Sequence, residues 1–226
     1  PKKGFRVSID SILLSSSIKE YSKCMEFGTG SGIIIIYLSK KFPNSKIIGV
    51  EKNIELVKLA NKNLLKNNIN NINSKILCND LFNKPFLQEY NNKLDRVIMN
   101  PPYFISNNVI KSNNKFKASA RYESNINEWF EAAYKKLKPK GYMNFVFRTE
   151  SLDLILSNLN GSWGEIKIFP LWPKVNVKSK LMILQAKKNA KSGVQILPGL
   201  ILHNNDGSYT DACNSILNNK SDIQLD

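Results

Sequence analysis

Short apolar runs recur along the chain and alternate with longer stretches whose apolar positions repeat every three or four residues. The runs at 23–27, 46–50, 74–78, 94–99, 141–147, 164–169 and 180–187 have the length and composition of strands, and the segments 9–18, 31–41, 53–67, 125–138 and 149–159 have helical spacing. Asn53 stands as an N-cap ahead of Ile54-Glu55-Leu56-Val57-Lys58-Leu59-Ala60. Ser31-Gly32 opens a helix that runs into Lys40-Lys41, with Pro43 beyond, and Lys138-Pro139-Lys140-Gly141 closes another before a strand. The alternation predicts an α/β fold: a seven-stranded, mostly parallel sheet with helices on both faces. Two stretches break the pattern. Residues 107–125 are polar and basic and are expected to form a long loop. Residues 189–210 hold Gly193, Pro198, Gly199 and Asn204-Asn205-Asp206-Gly207 and should form a short strand and a turn before a last helix. No repeat or linker divides the chain. A single domain is expected over 1–226, with an N-terminal lid helix at 1–20, a core at 21–188 and a C-terminal strand, turn and helix at 189–226.

Chemistry gathers where these strands end. Glu26-Phe27-Gly28-Thr29-Gly30-Ser31-Gly32 joins the first core strand to its helix. Alternate glycines allow a tight turn and let a ligand approach the backbone. Glu51 closes the second strand nineteen residues after Gly32, the position at which Rossmann-like folds place an acid on ribose hydroxyls. Asp80 closes the third and is placed to take an adenine amino group, with Leu81 or Phe82 packing on the ring. After the fourth comes Asn100-Pro101-Pro102-Tyr103-Phe104. The prolines stiffen the backbone, remove two N–H donors and hold the preceding residues extended. A planar group bearing an NH2 could be gripped there, its hydrogens on the Asn100 side-chain oxygen and the Pro101 carbonyl and its face on Tyr103. Taken alone, the segment also reads as a rigid turn.

Composition narrows the partners. Hydrophobic residues at 42% and aromatics at 10% fit a folded globular protein. The longest apolar stretch, Ile33 to Leu38, falls far short of the roughly 18–20 residues of a membrane span. Cys24, Cys78 and Cys213 are odd in number and far apart, which argues against a disulfide framework or a zinc site and suits a reducing cytoplasm. Lys and Arg number 33 against 18 Asp and Glu, a net charge of +15 that favours polyanions. The abundance of Lys, Asn and Ile also fits AT-rich coding. Lys111, Lys115, Lys117 and Arg121, after the Pro-Pro turn, either hold RNA phosphates or form a solvated charge run. Asp10 either caps the first helix or acts as a lid residue over whatever binds at the strand ends. His203 receives no role.

A glycine turn, acids at successive strand ends and Asn-Pro-Pro-Tyr at the fourth resemble, in spacing and order, the class I S-adenosylmethionine-dependent methyltransferases over about residues 20–188. A nicotinamide dehydrogenase would place its third glycine one residue later, and a P-loop would need Gly-Lys-Ser/Thr. The resemblance implies a Rossmann-like core that binds S-adenosyl-L-methionine through Glu26, Phe27, Gly28, Thr29, Gly30, Gly32, Glu51, Lys52, Asp80, Leu81, Asn100 and Asp10. It makes Asn100, Pro101, Pro102 and Tyr103 the catalytic group. Gly4-Phe5-Arg6-Val7-Ser8-Ile9-Asp10-Ser11-Ile12-Leu13-Leu14 is similar to the opening of bacterial tRNA(Val) adenine-N6 methyltransferases, the YfiC-like family. The likeness continues at Pro102-Tyr103-Phe104, Ala120-Arg121-Tyr122-Glu123, Lys138-Pro139-Lys140-Gly141 and Asp206-Gly207-Ser208-Tyr209-Thr210. It implies N6-methylation of the adenine beside the anticodon of a valine tRNA, with Tyr103, Phe104, Arg121, Lys115 and Lys117 on the RNA. No metal and no membrane are called for, and a monomer is expected. The alternatives are a glutamine N5-methyltransferase acting on a release factor or other protein, a DNA adenine methyltransferase, and a non-catalytic RNA-binding module.

Overall fold

A computed structural model of the chain describes residues 9–69, 72–101, 115–159 and 161–225, with the backbone alone for 115–125. Among the described residues nine strands form one sheet: β1 (Lys23–Phe27), β2 (Lys46–Glu51), β3 (Ser74–Cys78), β4 (Leu94–Met99), β5 (Leu137–Arg148), β6 (Trp163–Trp172), β7 (Leu181–Lys188), β8 (Val194–Ile196) and β9 (Leu200–Ile201). Their order is β3-β2-β1-β4-β5-β7-β6-β8, with β9 also on β6. The links β1–β2, β2–β3, β1–β4 and β4–β5 are parallel, and β7 runs antiparallel to β5 and β6. All seven expected strands are present. The one short strand expected within 189–210 is in fact two, β8 and β9, both parallel to β6, and α6 follows them as expected.

Alternate residues of the central strands bury opposite sides. Met25, Phe27, Val97, Met99, Phe145 and Phe147 face α4 (Lys115–Lys136) and α5 (Leu152–Leu159). Cys24, Ile47, Ile98 and Val146 face α1 (Ile9–Ser16), α2 (Ile33–Lys41) and α6 (Asp211–Leu217). Both faces being covered explains why these strands read as continuous apolar runs. Each fully buried large apolar side chain contributes about 1.5–3 kcal/mol. The N-cap of α3 (Ile54–Lys66) is Asn53, whose side chain accepts from the Glu55 and Leu56 N–H groups at 2.9 and 3.4 Å. One polar cluster is buried as well. The Arg96 guanidinium donates to Asn144 Oδ1 and lies 5.0 Å from the Tyr142 ring, and desolvation lowers its pKa.

Two expectations change. The stretch 107–125 is not loop throughout, because α4 already begins at Lys115. Its first turns hold Lys, Ala, Arg and Glu, good helix formers without a continuous apolar stripe, so propensity makes a helix that periodicity misses. Lys138-Pro139-Lys140-Gly141 does not end a helix. α4 ends at Lys136, and the four residues form an irregularity inside β5, whose pairing shifts from Leu94↔Leu137 to Arg96↔Tyr142. Lys140 adopts φ +65° there, and a Cβ on Gly141 would lie 2.9 Å from the Lys138 carbonyl oxygen.

Candidate active site

Strand β1 lies between β2 and β4, and the chain leaves it toward opposite edges of the sheet in turn. Ligands of open α/β sheets bind at such a switch point, beyond the carboxyl ends of the strands. Phe27 is level with Val50 on one side and Met99 on the other. The next residues, Gly28, Glu51 and Asn100, therefore leave three adjacent strands side by side.

Gly28, Gly30 and Gly32 adopt φ of +70°, +54° and +85°, the left-handed region where a side chain costs about 1–2 kcal/mol. The Gly28 and Thr29 N–H groups donate to the Val50 carbonyl at 2.8 and 3.0 Å, fastening the turn to β2. Glu51 then binds it from above: Oε2 accepts the Gly30 N–H at 3.0 Å, and Oε1 accepts the Asn53 N–H at 2.9 Å. Asp80 lies two residues beyond the end of β3, and its Oδ1 accepts the Phe82 N–H at 3.0 Å. Leu81 and Phe82 are half-buried and Lys52 is exposed.

The side chains of Glu26, Phe27 and Thr29 are buried beneath this turn. Glu26 accepts the Thr29 hydroxyl and a backbone N–H from Ile35. Burial pushes its pKa up to about 8; the Thr29 hydrogen bond opposes the rise and the nearby Glu51 charge adds to it. Phe27 packs edge-on against Phe86 and Trp129, with centroids at 5.6 and 6.3 Å. Trp129, on α4, is a residue the sequence alone does not single out. A Cβ on Gly28 would lie 3.1 Å from its Cη2, so the indole walls one side of the turn. Only the fold brings position 129 to position 28, and no local signal marks it.

Asn100 is half-buried, and its Nδ2 donates to Ser11 Oγ of α1 at 2.8 Å. Asp10 sits in the first turn of α1 rather than ahead of it. Pro101 is half-buried beside Asn100. Pro102, Tyr103, Phe104 and Lys111 lie outside the described residues, and Lys115, Lys117 and Arg121 belong to the backbone-only first turns of α4.

The loop between β6 and β7 also reaches this edge, because Arg148 at the end of β5 pairs with Leu181 at the start of β7. The Thr149 N–H donates to the Lys180 carbonyl at 3.1 Å. Lys178 and Lys180 are exposed, as are Val175 and Val177. His203 stacks on Tyr209 at 4.9 Å, its Nδ1 3.2 Å from the Pro173 carbonyl oxygen, a structural setting. Among the described residues no helix is long and apolar enough to cross a membrane, and no cluster of His, Cys, Asp and Glu is arranged to hold a metal.

A left-handed glycine turn tied to the acid that ends β2, with an amide beside it at the switch point of a mostly parallel sheet, defines a Rossmann-like class I methyltransferase. The chain matches the family model of the methyltransferase small domain over residues 6–163 and belongs to that family. It is 27% identical over 216 residues to a tRNA1(Val) (adenine(37)-N6)-methyltransferase of Haemophilus influenzae, covering 92% of this chain and 88% of the relative. A protein of the same name from Vibrio campbellii is 24% identical over 214 residues, covering 92% and 85%. Among solved structures, one described as a predicted O-methyltransferase from Agrobacterium tumefaciens aligns with a TM-score of 0.78 at 17% identity, covering 95% of this chain and 98% of that one. The tRNA (m1A58) methyltransferase TrmI from Aquifex aeolicus aligns at 0.59 and 16% identity, covering 84% and 72%. Both confirm the fold. The protein is an S-adenosyl-L-methionine-dependent methyltransferase, and its residues fit that cofactor. The three glycines hold the turn in left-handed backbone, a Cβ at Gly28 would meet Trp129, and the Glu51 carboxylate accepts the Gly30 N–H.

Proposed function

We propose that the chain methylates the exocyclic N6 of an adenine in tRNA, the anticodon-loop adenine of a valine tRNA by analogy with its named relatives. The observation that carries this reading is Asn100, an amide held at the sheet edge beside the glycine turn by a hydrogen bond to α1.

Adenine N6 is a poor nucleophile because its lone pair is delocalised into the ring. Asn100 Oδ1 and the Pro101 carbonyl accept its two N–H bonds, returning electron density to nitrogen and fixing its direction. Tyr103 stacks on the base, and Phe104 extends that surface. S-adenosyl-L-methionine, when bound, supplies an electrophilic sulfonium methyl. Gly28, Gly30 and Gly32 admit it to the backbone, Glu51 accepts from its ribose hydroxyls, and Asp80 and Leu81 bound its adenine. Asp10 covers its methionine end from α1, the N-terminal lid. Orientation of the two reactants is the main source of rate, about 7–11 kcal/mol at best.

Extruding a base costs a few kcal/mol and least in a single-stranded loop, which favours an anticodon loop over a duplex. Lys115, Lys117 and Arg121 on α4, with Lys178 and Lys180 of the β6–β7 loop, hold RNA phosphates. The test is Asn100→Ala. Methyl transfer to tRNA should fall at least a hundredfold while cofactor affinity stays within a few-fold. A variant that keeps most of its activity removes Asn100 from the chemistry.

A further inference from the structure

We infer that a cleft at the amino ends of β1, β4 and β5 is a phosphate site with the Arg96 guanidinium in its wall. It lies at the opposite end of these parallel strands from the glycine turn, and the inference does not depend on the identity of the methyl acceptor.

The cleft, about 440 Å³, forms where Tyr21 and Ser22 lead into β1, Asp95 and Arg96 begin β4, and residues 138–142 make the irregularity of β5. Arg96 is 5% exposed. A guanidinium taken out of water needs a counter-charge or a full set of acceptors. Among the described residues Arg96 has neither. Both of its hydrogen bonds leave from Nη1, to Asn144 Oδ1 and, at 3.4 Å, to Gln185 Oε1, and both acceptors are neutral amides. The other edge of the guanidinium, formed by Nε and Nη2, makes no hydrogen bond, and Nε is buried. The Tyr21 hydroxyl is buried without a partner as well.

The acids nearby are already engaged. Asp95 Oδ2 accepts the Ser22 and Lys23 N–H groups at 3.0 and 2.7 Å, and Oδ1 pairs with Lys138. Glu165 pairs with Lys187 at 2.9 Å, and Glu20 is exposed. Lys138 and Lys140 add two ammonium groups to the lining. Lys187 shares the Tyr142 ring with Arg96, at 5.4 and 5.0 Å from its centroid. Arg96, Lys138, Lys140 and Lys187 thus meet only Asp95, Glu165 and Glu20. A guanidinium edge with two free N–H groups holds an oxyanion through parallel hydrogen bonds. A planar carboxylate would spend both oxygens there and leave the lysines unmet, whereas a tetrahedral phosphate has oxygens for both. Because Nε is covered, the half-buried Tyr142 ring packed on the guanidinium shifts to admit it.

The probe is inorganic phosphate, titrated into the full chain at constant ionic strength held with chloride. The chain contains only Arg6, Arg96, Arg121 and Arg148, so the 15N-labelled arginine Nε–H signals are few, and loss in Arg96→Met assigns the one that matters. Phosphate should move the Arg96 signal saturably and raise Tm in the wild type but not in Arg96→Met. Lys140→Gln, at an exposed position where the fold is not at stake, should weaken binding about two- to fivefold. It decides the matter if Arg96→Met does not fold. An Arg96 signal that phosphate leaves in place, or that chloride moves equally, would overturn the inference, as would unchanged affinity in Lys140→Gln. Adding tRNA to the phosphate-bound protein separates two sources of the same chemistry. Displacement of phosphate with the Arg96 signal still shifted assigns the group to RNA; simultaneous binding assigns it to a small molecule.

Discussion

Gly49→Ala tests the architecture that holds the cofactor turn in place. Gly49 lies within β2 with ordinary strand geometry, so the substitution adds a methyl group without backbone strain. That Cβ would overlap Ile35 Cδ1 and lie 2.9 Å from Thr29 Oγ1 and 3.0 Å from Thr29 Cβ. Thr29 is the residue whose hydroxyl binds Glu26 beneath the turn. The added methyl therefore pushes apart α2 and the turn at their common anchor. Overpacking of this kind costs about 1–3 kcal/mol, and loss of the Thr29–Glu26 hydrogen bond adds about 0.5–1.5. Better strand entropy of Ala over Gly returns about 0.5–1. The net loss of about 0.5–4 kcal/mol should lower Tm by roughly 1–16 °C for a chain of this size. S-adenosyl-L-methionine affinity, measured by calorimetry, should weaken several-fold because Gly28, Gly30 and Gly32 no longer hold their register. Ile35→Val removes the very atom the new methyl meets and alone costs about 0.5–1.5 kcal/mol. The double variant should therefore be more stable than the two losses predict together. A Tm for Gly49→Ala at or above that of wild type, or strict additivity with Ile35→Val, would refute the packing argument.

Glu26 makes stability depend on pH. Its folded pKa of about 8 lies above the ordinary 4.5, so between those values the folded state holds a proton that the unfolded state has lost. Stability should fall as pH rises through this window, and Glu26→Gln should flatten the slope in denaturant titrations at pH 6 and 9; parallel slopes would contradict it. Asn144→Ala strips the buried Arg96 guanidinium of an acceptor and should cost roughly 2–4 kcal/mol in urea unfolding, much of it recovered when Arg96→Met is added. Lys178→Ala with Lys180→Ala should weaken tRNA binding and reduce the salt slope by about one for each phosphate no longer held; an unchanged slope would make the β6–β7 loop a bystander.

What is legible in the sequence is local. The three glycines, the acid that ends β2 and the Asn53 cap each announce themselves within a few residues, because a left-handed turn, a strand end and a helix start have short signatures. The seven long strands are equally visible, since burial on both faces leaves uninterrupted apolar runs. What is not legible depends on the meeting of distant segments. Nothing near Trp129 says that its indole stands against Gly28, and nothing near Ser11 says that it binds Asn100. Lys138–Gly141 reads as a helix stop because Pro and Gly punctuate helices and strand irregularities alike. The start of α4 is hidden for the opposite reason: its residues favour a helix but carry no continuous apolar stripe.

The most direct test of the central claim is nucleoside analysis of tRNA methylated by the wild-type protein with labelled S-adenosyl-L-methionine, alongside ribosomal RNA, duplex DNA and release factor. The proposed function predicts label in tRNA that digests to N6-methyladenosine and disappears with Asn100→Ala. Label confined to a protein glutamine, or to a methylated nucleoside other than N6-methyladenosine, would contradict it.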